Sequence, residues 1–327
     1  AIIIALLSAM GGSIFTILGP DRLSALTDTI TEGFMTGIDM KAVSKIALTL
    51  GGFYGISVLL SFIQGFIMVT VTQKMSKSMR DDISGKINRL PLKYFDSVSH
   101  GDILSRVTND VDAIANTLNQ SVASLVSSVT LFLGSLFMMF KTNWIMALVG
   151  ILSTIVGFMF MAFIMSKSQK YFTQQQEYLG KINGHIEEVY TGHSVVKVYN
   201  AEKRLRKDFQ RINKDLYNSG WKSQFISGLM MPLMNFIGNF GYVTVSITGA
   251  VLAMNGKISF GVIVAFMVYI RLFTQPLSQM AQAATNLQLA GAASYRVFSF
   301  IGEEELEDES SKDTFLEDTE GNIAFKN

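Results

Sequence analysis

The stretch ILSTIVGFMFMAFIM (residues 151–165) decides the fold class of this chain, because it contains no charged residue and no polar helical face. Helices of soluble proteins carry an apolar stripe with polar residues on the opposite side, and LFLGSLFMMF (residues 131–140) departs from that pattern in the same way. Only 16% of the residues are charged, whereas soluble domains carry roughly 25%. These segments are therefore predicted to lie in lipid rather than in the core of a large soluble helical protein.

Runs free of Asp, Glu, Lys and Arg divide the chain into six candidate spans. One span needs about 20 residues, because the hydrocarbon core is about 30 Å thick and a helix rises about 1.5 Å per residue. The predicted fold class is an all-α membrane protein with six transmembrane helices and long cytoplasmic helical extensions. The runs are residues 1–20, 46–73, 113–140, 142–166, 223–256 and 258–270, the last resuming after Arg271 as far as residue 295.

Lysine and arginine are concentrated in two of the five connecting segments. Residues 74–112 carry seven and residues 167–222 carry eleven, whereas residues 21–45 carry three. The positive-inside rule predicts that both basic segments, and with them both termini, lie in the cytoplasm. Each basic segment is predicted to form a long helical hairpin. The first turns at Gly101 and returns near Ser105, and the second turns near Thr191 and Gly192.

The last residues differ sharply from the rest of the chain. Residues 302–327 contain ten acidic residues and two lysines, a charge block typical of a solvated linker. Three regions are therefore predicted: a membrane domain over residues 1–301, an acidic linker over residues 302–320, and the start of a further domain over residues 321–327. The final segment GNIAFKN alternates apolar and polar residues, as the first strand of a domain does. The opening apolar run is interpreted as a truncated first span, because the basic segment and cleavage site of a signal peptide are absent from it.

Motifs for chemistry within the chain are weak. The sequence G-x-x-x-x-G-K-[ST], which cradles phosphates, does not occur in these 327 residues, and each Gly-Lys pair is followed by isoleucine. Glu187 and Glu188 are adjacent on a predicted helix and point apart, so they do not form a catalytic pair. The histidines at 100, 185 and 193 are predicted to make surface contacts rather than to bind metal. Neither a catalytic site nor a metal site is predicted, and nucleic acid is not an expected partner.

Several longer segments carry a family resemblance. RLPLKYFDSVSHGDILSRVTNDVDAI (residues 89–114) resembles the first intracellular loop of bacterial ATP-binding cassette (ABC) exporters, and GHIEEVYTGHSVVKVYNAEKR (residues 184–204) resembles the second. YIRLFTQPLSQMAQAATNLQLAGAASYRVFSFI (residues 269–301) is similar to their sixth span and its extension, and GNIAFKN to the strand that opens their nucleotide-binding domain. The likeness is greatest to one half of the heterodimeric multidrug exporters.

The resemblance implies a function, partners and a location. Two half-transporters, identical or not, would export amphipathic drugs or lipids across the bacterial cytoplasmic membrane by alternating access. ATP and Mg²⁺ would bind to nucleotide-binding domains outside this segment, which alone would bind neither. The alternatives are an ion-gradient-driven transporter or channel, and a membrane regulator of a partner enzyme. The spans contain neither Asp nor Glu, which ion-coupled transporters tend to place there.

The resemblance also implies two coupling helices, which would transmit movement between the nucleotide-binding domains and the spans. Ile103 and Leu104 are expected to anchor the first tip, and Val195, Val196 and Tyr199 the second. The first coupling helix is assigned to His100, Gly101, Asp102, Ile103, Leu104, Ser105 and Arg106. The second is assigned to Tyr190, Thr191, Gly192, His193, Val195, Val196, Lys197 and Tyr199.

Polar and flexible residues within the spans are candidates for a substrate cavity. Arg271 is interpreted as a cavity residue or an inter-subunit contact, or else as a side chain that snorkels to the interface. The amide residues are equally compatible with hydrogen bonds between helices, and the methionines with lipid-facing or core positions. Pro232 is predicted to break the fifth helix and create a hinge. The candidate cavity residues are Gln64, Phe66, Met230, Met231, Met234, Asn235, Asn239, Tyr269, Arg271 and Gln275.

Overall fold

The computed structural model describes residues 1–306, 321 and 323–325, apart from the side chains of Met35, Thr36 and His100. Six helices in this part of the chain are long and apolar enough to cross a membrane. This confirms the predicted all-α fold class with six spans. Most of the acidic linker, and residues 322, 326 and 327 of the predicted strand, lie outside the described residues. Residue 321 and residues 323–325 have no regular secondary structure.

The helices are long, and short connections join them. The third span is a single helix in which two π-helical turns, Arg106–Asp110 and Leu118–Val122, interrupt the α-helical hydrogen bonding. The α-helices are α1 (Ile2–Thr36), α2 (Met40–Ile87), α3 (Leu92–Ser97), α4 (His100–Ser105), α5 (Val111–Thr117), α6 (Ala123–Thr142), α7 (Trp144–Thr191), α8 (His193–Val198), α9 (Glu202–Met254) and α10 (Phe260–Ile301).

Helix length explains the extensions predicted from the sequence. α7 has 48 residues and α9 has 53, which at about 1.5 Å per residue corresponds to roughly 70–80 Å. The hydrocarbon core is about 30 Å thick. Each of these two helices therefore continues for tens of ångströms beyond the membrane, and the two pack against one another.

Side chains cap the helices at their connections. The Asn143 side chain accepts hydrogen bonds from the backbone N–H groups of Ile145 and Met146, both at 3.1 Å, and so starts α7. Asp28 of α1 caps α10 from another helix: its carboxylate accepts from Ser259 Oγ and from the Gly261 N–H, both at 2.7 Å. A carboxylate at a helix N-terminus satisfies free N–H groups and interacts favourably with the helix dipole.

Pro232 does not break the fifth helix. α9 is continuous from Glu202 to Met254 with Pro232 inside it, so the predicted break is wrong. Proline is tolerated inside a transmembrane helix where local adjustments satisfy the carbonyl that loses its N–H partner. Pro20 and Pro276 likewise lie inside α1 and α10.

The chain divides into two compact units. Unit 1 comprises Ala1–Ala9, Ser61–Val126 and Gln279–Asn327, and unit 2 comprises Met10–Leu60 and Ser127–Ser278. The core of unit 1 is built around Ile83, Val111, Val297 and Phe300. The core of unit 2 is built around Met139, Met146, Val245, Phe266 and Tyr269.

Small residues set the distance between helices in unit 2. A Cβ atom added to Gly249 of α9 would lie 2.9 Å from Ile263 Cγ1 and 2.9 Å from Met146 Cε, which is closer than real Cβ atoms approach. Gly157 of α7 faces Ile237 of α9 with even less space. In a membrane, helix association depends on close packing, and small residues permit that packing.

We predict that Gly249→Leu destabilises the domain by about 1–3 kcal/mol, because it overpacks the contact with Ile263 and Met146. Thermal unfolding of the purified protein in detergent measures the effect. Gly238→Leu is the matched control: Gly238 lies on the same helix, and an added Cβ there meets no atom within 4 Å. Equal shifts for the two variants would contradict the packing argument.

Candidate coupling tips and a polar span face

The first tip consists of the short helix α3 and the start of α4 in unit 1. Pro91 occupies the N-cap position of α3, and the Ser99 side chain accepts from the Asp102 N–H at 3.1 Å to start α4. The returning helix therefore begins at His100 rather than near Ser105. Leu92 of α3 is 82% exposed. The separate helix at residues 92–97 was missed in the sequence, although Pro91 and the S-x-x-D pattern of Ser99 and Asp102 are signals for two successive helix starts.

The residues assigned to the first coupling helix do not form a separate element. His100–Ser105 is the first turn of the helix that leads into the third span. Ile103 is only 7% exposed and belongs to the unit 1 core, whereas Leu104 is exposed. Of the two expected anchors, only Leu104 therefore presents apolar surface.

An aromatic contact and an arginine hold α3 against α10. The rings of Tyr94 and Phe300 lie 5.9 Å apart in an edge-on arrangement. Arg106 Nη1 donates to Tyr94 Oη at 2.9 Å, and the Arg106 guanidinium lies 5.4 Å from the Phe300 ring centroid. Phe300 is fully buried. The first tip is thus fixed to the end of α10 by one cluster of three side chains.

An ion pair between the buried Asp110 and Arg296, whose side chain is 53% exposed, joins the third span to α10 beside this cluster. Arg296 Nε and Nη2 donate to the two carboxylate oxygens of Asp110 at 2.8 and 2.5 Å. Asp110 is buried and is the last residue of the first π-helical turn. A two-pronged contact of this kind is among the stronger hydrogen-bonded pairs in proteins, because both donors are charged and planar.

The segment after α10 is bound to the end of α2. Lys86, which is only 7% exposed, donates to the Glu303 carbonyl and to Glu305 Oε1, the latter at 3.0 Å. The Leu306 N–H donates to the Arg89 carbonyl at 2.9 Å. The first residues after α10 therefore leave the membrane domain in a defined direction.

The second tip, in unit 2, is the short helix α8 between α7 and α9. α7 ends at Thr191, and Asn200 has φ 49°, which reverses the chain before α9. Tyr199 is 78% exposed, and Tyr190, Val195 and Val198 are also exposed. Val196 is half-buried instead and faces back towards the hairpin. The tip therefore presents four apolar side chains outward.

A cavity of about 360 Å³ lies behind α8, between the ends of α7 and α9. Its apolar walls include Ile186 and Phe209, and its polar residues include His185, His193 and Arg206. His185 is held by a 3.2 Å hydrogen bond between its Nε2 and the Leu205 carbonyl. Among the described residues, no group of three or more His, Asp or Glu side chains is arranged so that it could hold a metal ion.

A salt bridge closes the turn that leads into α9. Lys197 Nζ lies 2.9 Å from Glu202 Oε1. This hydrogen bond lowers the pKa of Glu202, which lies well outside the charge-free run of its helix. Both side chains are exposed, so the contact orients the turn more than it stabilises the fold.

Polar residues on α9 and α10 share one face of unit 2. The Arg271 guanidinium lies 5.8 Å from the ring centroid of Tyr242 on α9. Asn235 and Asn239 on α9 and Gln275 on α10 are exposed. Arg271 itself is exposed, and no acidic side chain of the described residues lies within ion-pair distance of it.

The remaining cavity candidates are distributed differently. Tyr269 is fully buried in the core of unit 2, so its side chain does not face a cavity in this conformation. Met231 is exposed, whereas Met230 and Met234 are half-buried. Gln64 and Phe66 belong to unit 1, where Phe66 is exposed and Gln64 half-buried. Their roles stay predictions.

Residues 2–277 match the model of the family described as the ABC transporter transmembrane region. The chain belongs to this family. The six apolar helices and the family membership both show that it is a multi-pass membrane protein.

Relatives of this ABC transporter transmembrane domain are named as ATP-binding proteins. The chain is 36% identical over 269 residues to a fatty acid ABC transporter ATP-binding/permease protein of Mycobacterium bovis, covering 82% of this chain and 43% of the relative. It is 33% identical to an uncharacterized ABC transporter ATP-binding protein of Bacillus subtilis, covering 95% and 51%. It is 26% identical to a multidrug resistance ABC transporter ATP-binding and permease protein of Lactococcus lactis, covering 93% and 50%. The chain spans about half the length of these relatives.

We predict that Arg296→Gln lowers the unfolding temperature of the ABC transmembrane domain more than the control variant does, because it removes charged hydrogen bonds from the buried Asp110 carboxylate. Thermal unfolding measures the loss. The control Arg211→Gln removes an exposed contact of 3.8 Å to Asp208, which is expected to contribute less than about 1 kcal/mol. A variant at Arg296 as stable as the Arg211 control would contradict a structural role for the pair.

Proposed function

We propose that this domain is the transmembrane half of an ATP-driven exporter that moves amphipathic compounds out of the cytoplasm by alternating access. The observation that supports the proposal is the length of the helices and the composition of their ends. Helices continue far beyond their apolar runs and end in two short helices with exposed apolar side chains. Such tips have no use unless another domain contacts them. An apolar centre with polar neighbours is the usual composition of a protein–protein contact.

The contacting domains are proposed to be nucleotide-binding domains that use ATP and Mg²⁺. The printed names of the relatives include ATP binding, and this chain matches about half of their length. We propose that residues 302–320 link the membrane domain to such a domain and that residues 321–327 begin its first strand. Two half-transporters, identical or not, would supply twelve spans around one pathway.

The first coupling helix assigned to residues 100–106 is proposed to act together with α3. Leu92 and Leu104 supply the exposed apolar side chains of this tip, and the cluster of Tyr94, Arg106 and Phe300 would carry movement to α10. At the second tip, Val195, Val198 and Tyr199 supply the apolar contact surface. A stiff helix transmits movement with little loss, because its backbone hydrogen bonds are all internal.

The cargo is proposed to be an amphipathic drug or a lipid. The relatives include proteins named for fatty acid and for multidrug transport, and the spans offer mostly apolar surface. An ion-gradient-driven transporter or channel is the second candidate. It is less favoured because the charge-free runs contain no acidic residue, whereas ion-coupled transporters use carboxylates inside the membrane.

We predict that Tyr199→Asp in the complete transporter lowers cargo-stimulated ATPase activity and transport at least about tenfold, since it places a charge in the proposed contact. Both are measured in proteoliposomes. Tyr217→Asp is the matched control, because Tyr217 is a similarly exposed tyrosine on the shaft of α9, 69% exposed against 78%. Unchanged activity in the Tyr199 variant would overturn the assignment of this tip, and transport driven by a proton gradient without ATP would favour the second candidate.

We predict that both tips are cytoplasmic in the cytoplasmic membrane of a bacterium. The segment has no cysteine, so single cysteines introduced at Ser194 and at Lys257 report their own side of the membrane. A thiol reagent that cannot cross the membrane is expected to label the Lys257 position in intact cells and the Ser194 position only in inside-out vesicles. The reverse pattern would contradict the orientation.

A further inference from the structure

The polar face of α9 and α10 contains one charged residue, Arg271. The chemistry of its side chain determines which class of ligand this face can bind. We propose that Arg271, supported by Tyr242, Asn239 and Gln275, binds the acidic head group of an amphipathic anion, a carboxylate or phosphate that carries an apolar chain. The inference rests on the proposed export function and specifies its substrate class.

The depth of Arg271 makes an unpaired charge costly there. It lies eleven residues from the start of α10 at Phe260, which is about 16 Å along the helix. A second estimate comes from α6, where Ser135 Oγ donates to the carbonyl of Leu272 at 3.3 Å. Ser135 is seven residues from the end of α6 at Thr142, or about 10 Å. Arg271 therefore lies about 10–16 Å inside the helix ends, within a hydrocarbon core of about 30 Å.

Arg271 forms no salt bridge in the described part of the chain, although Asp21 of α1 lies beside Tyr269, two residues before Arg271. Asp28, an acidic residue of α1 in the same unit, is engaged in capping α10 through Ser259 and Gly261. Arg271 lies against the Tyr242 ring instead. An aromatic face attracts a cation but leaves its N–H donors unsatisfied. A guanidinium with free donors in a region of low dielectric favours an anion with planar or tetrahedral oxygens.

Two amides lie one turn further along the span on the same face. Tyr242 is twelve residues from the end of α9, and Arg271 is eleven residues from the start of α10. The two residues therefore lie at nearly the same level along the span, which agrees with their contact. Asn239 and Gln275 are both fifteen residues from the same ends and therefore lie at one depth. Their side chains can donate to oxygens that the guanidinium does not reach. The exposed apolar residues Met231 and Phe236 continue the α9 surface towards the opposite end of the span and suit an alkyl chain.

The direct test is binding to the complete transporter with its partner half, in discs of phosphatidylcholine. The probes are 11-(dansylamino)undecanoate and its methyl ester, which differ only in charge, and fluorescence anisotropy measures their half-saturation concentrations. The acid is expected to bind about tenfold more tightly than the ester, and Arg271→Gln is expected to abolish that difference by weakening the acid alone. Arg271→Lys keeps the charge and is expected to retain most of it. Arg211→Gln, an exposed arginine on α9 outside the charge-free run, is the matched control and is expected to leave both affinities unchanged.

The outcomes separate this inference from the proposed function. Normal ATP hydrolysis and transport together with equal affinities for acid and ester would overturn the anion site and leave the exporter intact. Absence of ATP-dependent transport of any amphiphile would overturn the proposed export function, whichever of the two probes binds. Separation of the two halves on gel filtration in Arg271→Gln would overturn the site in favour of a subunit contact. Discs that contain phosphatidylglycerol identify the source of the anion: competition assigns the site to a phospholipid, and unchanged binding assigns it to a single-chain acid.

Discussion

The absence of water in the bilayer core is the constraint on which the structure depends. Each backbone N–H and C=O inside hydrocarbon must find a partner within its own segment, and the α-helix is the simplest arrangement that provides one. Most Asp, Glu, Lys and Arg residues lie at the ends of the charge-free runs or in the extensions, whereas Arg271 interrupts the run from residue 258 to residue 295. Pro20, Pro232 and Pro276 lie inside helices that continue past them. Tight packing of glycines against isoleucine and methionine then holds the helices together, as at Gly249.

Outside the membrane the same helices continue, but other forces stabilise them. In unit 1 three sets of contacts converge on the end of α10: the ion pair of Asp110 and Arg296, the cluster of Tyr94, Arg106 and Phe300, and the bonds from Lys86 to residues 303 and 305. A rigid end of α10 is useful only if the residues after it connect to something that moves. The concentration of charged and aromatic contacts at this point therefore agrees with the proposed coupling to a nucleotide-binding domain.

The two tips reach similar surfaces by different routes. The first uses two successive helix starts, with Pro91 and then Ser99, and its outward surface comes mainly from Leu92 and Leu104. The second uses one six-residue helix followed by Asn200 with positive φ, and its outward surface is larger. Both tips expose apolar side chains at the ends of long helices. Exposed apolar surface that contacts no partner lowers the solubility of a protein.

The sequence by itself determined the fold class, the number of spans and the family. Charge-free runs of about 20 residues have a single stable outcome in lipid, so hydropathy alone identifies them. It also located the second tip, because Gly192 and the polar residues around it interrupt two long helical patterns. Tertiary structure alone decided which side of each helix is covered. The sequence does not show that Ile103 and Tyr269 are buried, because burial depends on which neighbouring helix packs against a face. The contact of Arg271 with Tyr242 and the pair of Asp110 with Arg296 join residues far apart in the chain, and the order of residues along a helix carries no information about such partners.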